Sequence, residues 1–337
     1  MFIRFRLVIF GLVLALFAAE GIFRLCGMSA GVPPVPYESS KFVFRAPYAG
    51  NSLTGWQLKP GNYQLLQGGR DRAVKISINP DASRVTRKEN TAYSRAISKI
   101  ICIGDSFIFG EGLDDEETLP WRLQELLPDR NVINHGVGGF GTCQTMLRLS
   151  QLRELLSHGD IVVYGLSSFH EERNTADPRQ DYWIAISSPN HQSSYPRCRK
   201  NDNQIVREDS KVWEIIMPLT GRSVLSKIFT DAWLSVLAIR SVQNQRELTF
   251  SLLEKMKDIS AARGASLIVL LQEFPSDAAI DYQKFLDRSA INYVDGTDIA
   301  YRHHLKLPDG HPGSEMAELW AKKLSVFLSK ATEEPSK

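Results

Sequence analysis

From residue 97 onward the chain alternates between two hydrophobic rhythms. Short apolar runs rich in β-branched residues occupy positions 100–103, 132–134, 161–165, 266–271 and 292–294. Such runs read as strands buried on both faces. Between them, apolar residues recur at helical spacing over 119–127, 142–156, 248–263, 278–289 and 314–330. Leu248, Leu252 and Met256 stand at i, i+4 and i+8 of one such stretch, and Gly264 is placed to end it as a C′ residue. This alternation predicts an α/β fold, a parallel sheet covered by helices on both faces. In such sheets ligands bind beyond the carboxyl ends of the strands, so the chemistry is expected there.

Upstream the rhythm is different. Residues 7–19 are apolar without a polar interruption, with Arg4 and Arg6 ahead of them and Arg24 behind. The length falls between a secretory h-region of about 7–15 residues and a membrane-spanning helix of about 20. Ala18-Ala19 is a poor cleavage site, and Cys26 follows Arg24-Leu25 rather than a small residue as in a lipoprotein. Residues 1–24 are therefore expected to form an uncleaved transmembrane anchor. The leading arginines keep the amino end cytoplasmic and place the remainder outside. Residues 25–96, with Pro33, Pro34, Pro36, Pro47 and Pro60, are expected as an extended lead-in with short strands, the alternation at 74–79 reading as a small strand or a hairpin. The main domain is assigned to 97–330. Within it residues 168–246 are too long for a simple crossover and are expected as an insertion over the carboxyl edge of the sheet, including a helix near 223–240 and acting as a lid.

Composition narrows the function classes. The 337 residues are 43% hydrophobic and 23% charged, and 40 basic against 38 acidic side chains leave a formal charge of +2. That balance gives no basic footprint for nucleic acid. Cys26, Cys102, Cys143 and Cys198 lack metal-ligand spacing. Cys102 lies in an apolar run and reads as a small buried hydrophobe. Cys143 and Cys198 are a candidate pair in an oxidising compartment, but spacing does not fix their distance. The adjacent pair His303-His304 points its side chains apart on helix or strand, which disfavours a metal role. Glu111, Asp114 and Asp115 read as a solvated acidic loop.

The candidate chemistry sits at the strand ends. The first run leads into Gly104-Asp105-Ser106-Phe107, which presents a hydroxyl just above a buried strand. A serine needs a base, and the base needs an orienting group. Asp309-Gly310-His311-Pro312 opens the last amphipathic helix and places an imidazole where that base belongs. Read alone, Asp309 is equally a turn or capping carboxylate.

Gly104-Asp105-Ser106 after the first strand, Asn134-His135-Gly136-Val137-Gly138-Gly139 after the second, a polar turn after the third and Asp309-x-His311 before the last helix resemble, in order, the blocks of the SGNH (GDSL-like) hydrolases. The resemblance covers roughly residues 97–330 and extends to bacterial membrane-anchored members. It implies a flavodoxin-like three-layer α/β/α sandwich and hydrolysis or transfer of acyl esters without a metal or other cofactor. It also implies roles: Ser106 as nucleophile and one oxyanion donor through its N–H, Gly139 as a second backbone donor, His311 as general base, and Asp309 as its orienting carboxylate. Gly310 makes the Asp–His spacing one residue shorter than the commoner form. The third block departs from the family, which places an oxyanion-hole Asn there. His170-Glu171 aligns best with that block, so His170 is the expected third donor, with Asn174 as the alternative.

The sequence therefore predicts a serine esterase held outside the cytoplasm, acting through an acyl-Ser106 on an ester such as an O-acylated envelope glycan. The membrane and envelope polysaccharide machinery are its expected partners. Two alternatives stand beside it: an O-acyltransferase for an envelope polysaccharide, and a catalytically silent glycan-binding or scaffold protein on the same fold.

Overall fold

The computed structural model describes residues 2–32, 35–36, 47–88, 98–175, 178–187, 192–193, 196–201, 204–209, 216–241 and 245–333. Pro33, Pro34 and Pro189 lie outside them. In chain order the elements are α1 (Phe2–Leu25), β1 (Tyr48–Asn51), β2 (Gly55–Leu58), β3 (Gly61–Leu65), β4 (Val74–Ile78), β5 (Lys99–Gly104), α2 (Ser106–Phe109), α3 (Leu119–Leu126) and β6 (Asn131–Gly136). There follow α4 (Thr142–Leu152), β7 (Ile161–Leu166), α5 (His170–Thr175), α6 (Pro178–Ser187), β8 (Pro196–Asn201), β9 (Gln204–Asp209), α7 (Val224–Ser241) and α8 (Gln245–Ala261). The last are β10 (Ser266–Leu271), α9 (Ser276–Arg288), β11 (Asn292–Asp295) and α10 (Ser314–Glu333).

The chain divides into two compact units. The larger holds residues 44–175, 196–208 and 245–337. Its centre is a five-stranded sheet of order β11-β10-β7-β5-β6 with every neighbouring pair parallel. Numbered along the sheet's own chain order this is 2-1-3-4-5, the flavodoxin-like winding, whose topological switch lies between β5 and β7. All five strands foreseen from the β-branched runs are present.

Side-chain alternation builds the two outer layers. Ile101, Ile103, Val162, Tyr164 and Val269 face one side and pack with α4, α8 and α9 through Leu149, Leu252, Met256 and Tyr282. Ile100, Cys102, Val163, Ile268 and Leu270 face the other and meet α3 and α10 through Leu123, Met316, Trp320 and Leu324. Each fully buried aliphatic side chain of this kind contributes about 1.5–3 kcal/mol. Cys102 is fully buried, and desolvation pushes its thiol up to about 12, which makes it a packing residue.

Residues 47–88 are more than a lead-in. They form two antiparallel hairpins, β1–β2 and β3–β4. Leu58, Val74, Ile76 and Ile78 from this segment share a third core with Phe109, Val137 and Phe140, so the segment belongs to the same unit as the sheet. Its Arg84 is buried and donates to the carbonyls of Lys75, Phe109, Gly110 and Leu113 while pairing with Asp115 at 2.9 Å. This guanidinium clamps the loop that follows α2.

The smaller unit comprises residues 1–43, 176–195 and 209–244, so the span expected as one insertion is divided between the units. Its α1 has a 22-residue stretch, Arg4–Leu25, long and apolar enough to cross a membrane, with none of that window buried. Helix α7 forms where the sequence placed one.

Candidate active site

The strand ends bring the candidate residues together. Asp105 caps α2 by accepting the Phe107 N–H at 3.0 Å, which sets Ser106 at the first helical position, directly after β5. Residue Gly136 pairs in register with Gly104 across β5 and β6. A Cβ at Gly136 would lie 2.4 Å from the Phe109 nitrogen, so only glycine lets α2 lie against β6 here. The Val137 N–H donates to the Gly104 carbonyl at 3.0 Å, which draws the Gly138-Gly139 turn alongside the Ser106 turn. Gly139 adopts φ +82°, and a Cβ there would meet the Trp56 ring at 3.1 Å. The Trp56 indole in turn donates to the Gly138 carbonyl at 2.9 Å.

His311 arrives from the loop before α10. Leu307 N–H donates to the His311 carbonyl at 2.7 Å, and Gly310 N–H donates to the Leu307 carbonyl at 2.9 Å, closing a tight turn. His311 Nε2 lies 3.1 Å from Ser106 Oγ, and its Nδ1 lies 2.9 Å from Asp309 Oδ2. Asp309 Oδ1 also accepts the His311 N–H at 3.1 Å. The shortened Asp–His spacing therefore still lets one carboxylate grip both ring and backbone. Ser106 is buried, at 7% exposure, beside the more open His311 imidazole. Phe107 sets an edge-to-face contact with His311 at 6.0 Å between centroids and stacks on Trp320, so the imidazole is braced by the core.

The third block is corrected by the structure. His170 is fully buried, with Nε2 3.1 Å from Asp105 Oδ2 and Nδ1 2.9 Å from the Tyr164 hydroxyl. Both ring nitrogens face interior partners, so His170 is not a donor to an oxyanion at Ser106. Burial, with help from the Arg173 charge, pushes its pKa down against the opposing pull of Asp105. Asn174 is equally committed: its Oδ1 accepts the Cys143 N–H at 2.8 Å and its Nδ2 donates to Thr249 at 2.8 Å. Arg173, which no motif singles out, reaches Asp105 Oδ2 at 3.3 Å and the Phe140 carbonyl at 2.9 Å, over the Phe169 ring. Burial opposes ionisation of Asp105, yet His170, Arg173 and the Phe107 N–H together hold its pKa below the ordinary carboxylate value. Helix α5 thus supplies a support around Asp105, beneath the Ser106 turn, rather than a third donor.

Other candidates fall outside the chemistry. His135 is buried against Arg148, with Nδ1 3.2 Å from its guanidinium. Burial and that charge push it down to about 4, with Asp81 opposing. His303 and His304 are exposed in a short turn, and among the described residues no group of three metal-ligating side chains occurs. The acidic loop is not simply solvated. Asp115 is buried on Arg84, and Asp114 accepts the Lys75 N–H and pairs with Arg72. Glu111 is half-buried, and desolvation raises its pKa, opposed by the nearby Arg84 guanidinium among its neighbours. Cys143 and Cys198 are joined in a disulfide that ties the start of α4 to β8.

No family model matches the chain, and no curated protein matches it. Partial similarity to solved structures is found. The crystal structure of TesA overlaps at 15% identity and TM-score 0.42, over 69% of this chain and 99% of that one. The psychrotrophic esterase EstA from Pseudoalteromonas sp. overlaps at 14% identity and TM-score 0.43, over 70% and 100% of the respective chains. The SGNH-hydrolase family esterase AlinE4 overlaps at 16% identity and TM-score 0.34, over 70% and 97%. Similarity this distant leaves the functional reading to the chain's own geometry.

Proposed function

We propose that the chain is a serine-dependent ester hydrolase of the SGNH type. The observation that carries this reading is the unbroken line from Ser106 Oγ to His311 Nε2, at 3.1 Å, and from His311 Nδ1 to Asp309 Oδ2, at 2.9 Å. As Ser106 Oγ attacks an ester carbonyl carbon, His311 takes the hydroxyl proton. Asp309 fixes the ring with Nε2 toward the serine and stabilises the imidazolium that forms. The N–H groups of Ser106 and Gly139 stabilise the tetrahedral oxyanion. Its collapse expels the alcohol, which receives the proton from His311, and leaves an acyl-Ser106. Water activated by the same imidazole then releases the acid and free enzyme.

For the substrate class we favour an O-acylated glycan of the cell envelope, met outside the cytoplasm by a protein anchored through α1. Arg4 and Arg6 ahead of the apolar stretch support that orientation. The Cys143–Cys198 disulfide supports an oxidising compartment. The full chain is expected to release p-nitrophenol from p-nitrophenyl acetate, with Ser106→Ala slowing this by about a thousandfold or more. A rate unaffected by Ser106→Ala contradicts the mechanism. Transfer to a glycan acceptor outpacing hydrolysis would reassign the second half-reaction to an acyltransferase.

A further inference from the structure

Helix α7 carries two different faces. Val224, Ser226, Thr230, Leu234 and Ala238 are buried, and Leu234 packs with Tyr182 of α6. The polar members of that face are satisfied locally, with the Thr220 and Thr230 hydroxyls 2.8 Å apart. On a separate stripe Phe229, Trp233 and Val236 are 55%, 40% and 43% exposed. Spacings of four and three put them on one side of the helix. The Lys227–Asp231 ion pair, at 2.6 Å, falls on the opposite side by the same helical geometry. A soluble surface helix presents charge outward and apolar residues inward. Here the outward stripe is three large apolar side chains, one of them tryptophan.

The start of α7 is fixed to α1. The Glu20 carboxylate accepts the N–H groups of Val224 and Leu225, each at 3.0 Å, and the Ser223 hydroxyl at 2.9 Å. It thereby caps α7 from another helix, with a negative charge at the positive end of the dipole. Arg24 pairs with Glu20 at 2.7 Å and donates to the Arg222 carbonyl at 2.6 Å. Between the two helices lies a groove of about 640 Å³. Val13, Leu16 and Phe17 form one wall, Leu219, Leu225 and Phe229 line the other, and Arg24 and Arg222 border it.

We propose that α7 is a second membrane-contacting element: Phe229, Trp233 and Val236 enter the interfacial layer of the phospholipid bilayer that α1 spans, and an acyl chain fills the groove between the helices. This rests on α1 lying in a membrane and is independent of the ester chemistry. The occupant follows from continuity. One wall of the groove is the apolar stretch of α1, whose natural surroundings are lipid tails, and the exposed stripe of α7 extends from the other wall. Tryptophan at a bilayer interface buries its ring and keeps its N–H in the polar layer. The arginines beside the groove match a lipid phosphate in charge and hydrogen-bonding geometry. The Glu20 cap also ties α1 to the rest of the folded unit.

The test uses the full chain reconstituted in phosphatidylcholine vesicles, with or without bromine on the acyl chains. The Trp233 contribution is the fluorescence difference between wild type and Trp233→Phe, a substitution that keeps an aromatic ring on the stripe. Brominated lipid is expected to quench that contribution by about twofold or more, as for a side chain held at the interfacial depth. A Trp233 contribution insensitive to brominated lipid overturns the proposal. It does so even where the residue is shielded from aqueous iodide, because such shielding without bromine quenching marks a protein surface, such as a second copy of the chain, as the occupant.

Discussion

His170 Nε2 stands 3.1 Å from Asp105 Oδ2, one residue ahead of Ser106. Asp105 is fully buried and caps the turn that presents Ser106. The imidazole that the sequence placed in the oxyanion hole instead holds the carboxylate beneath it, and Arg173 reaches the same oxygen.

Replacing His170 with alanine leaves Asp105 buried with one partner fewer. The expected cost is about 1–3 kcal/mol of stability, the usual penalty for a deprived buried acceptor, read by urea unfolding. The same variant is expected to lower kcat by roughly tenfold through a looser Ser106 turn while KM changes little. Complete loss of kcat at unchanged stability would give His170 a direct catalytic role and contradict its placement.

Asp309 grips His311 from a position with its side chain one-third exposed. Solvent weakens such a pairing relative to a buried carboxylate. Asp309→Asn is therefore expected to lower kcat on p-nitrophenyl acetate by about 10–100-fold, less than the 10⁴ or so known for a buried triad carboxylate. A variant as active as wild type would remove Asp309 from the mechanism.

His135 sets an acid limit on stability. Its folded-state pKa is depressed from the ordinary 6.5 to about 4, so between those values the unfolded chain binds the extra proton. Stability is thus fully present above about pH 6.5 and declines as pH falls toward 4, by a few kcal/mol at most. Urea midpoints across that window should fall for wild type and fall less steeply for His135→Gln. Parallel profiles for the two proteins would place the acid sensitivity elsewhere.

The disulfide closes a sequence separation of 55 residues. By the loop-entropy relation its loss costs about 4 kcal/mol, so the double variant Cys143→Ser/Cys198→Ser is expected to unfold at markedly lower urea. Thiol titration of the unreduced, denatured chain should count Cys26 and Cys102 alone. Four titrating thiols in protein recovered from the cell envelope would contradict both the bond and the compartment.

What the sequence made legible was local. Ser106 follows a strand and His311 precedes a helix within a few residues, so the uninterrupted apolar runs and the helical patterns placed both at the sheet's carboxyl edge. The five strands were legible for the same reason, since burial on both faces leaves uninterrupted apolar runs. Arg84 was not legible, because its acceptors are backbone carbonyls at 75, 109, 110 and 113 and carry no side-chain signature. His170 was misplaced because alignment to the third block fixes only its position in the chain. Its partners Tyr164 and Asp105 lie on β7 and just after β5, and only packing reveals that the ring turns inward. The Cys143–Cys198 pairing likewise needed the distance between α4 and β8.

On the proposed mechanism Ser106 is the activated nucleophile. Incubation of the full chain with a fluorophosphonate, followed by peptide mass spectrometry, tests it most directly. The expected result is a single phosphonyl adduct on the peptide containing Ser106, lost in Ser106→Ala and strongly slowed in His311→Ala. An unlabelled wild-type chain, or an adduct that persists in Ser106→Ala, would contradict it.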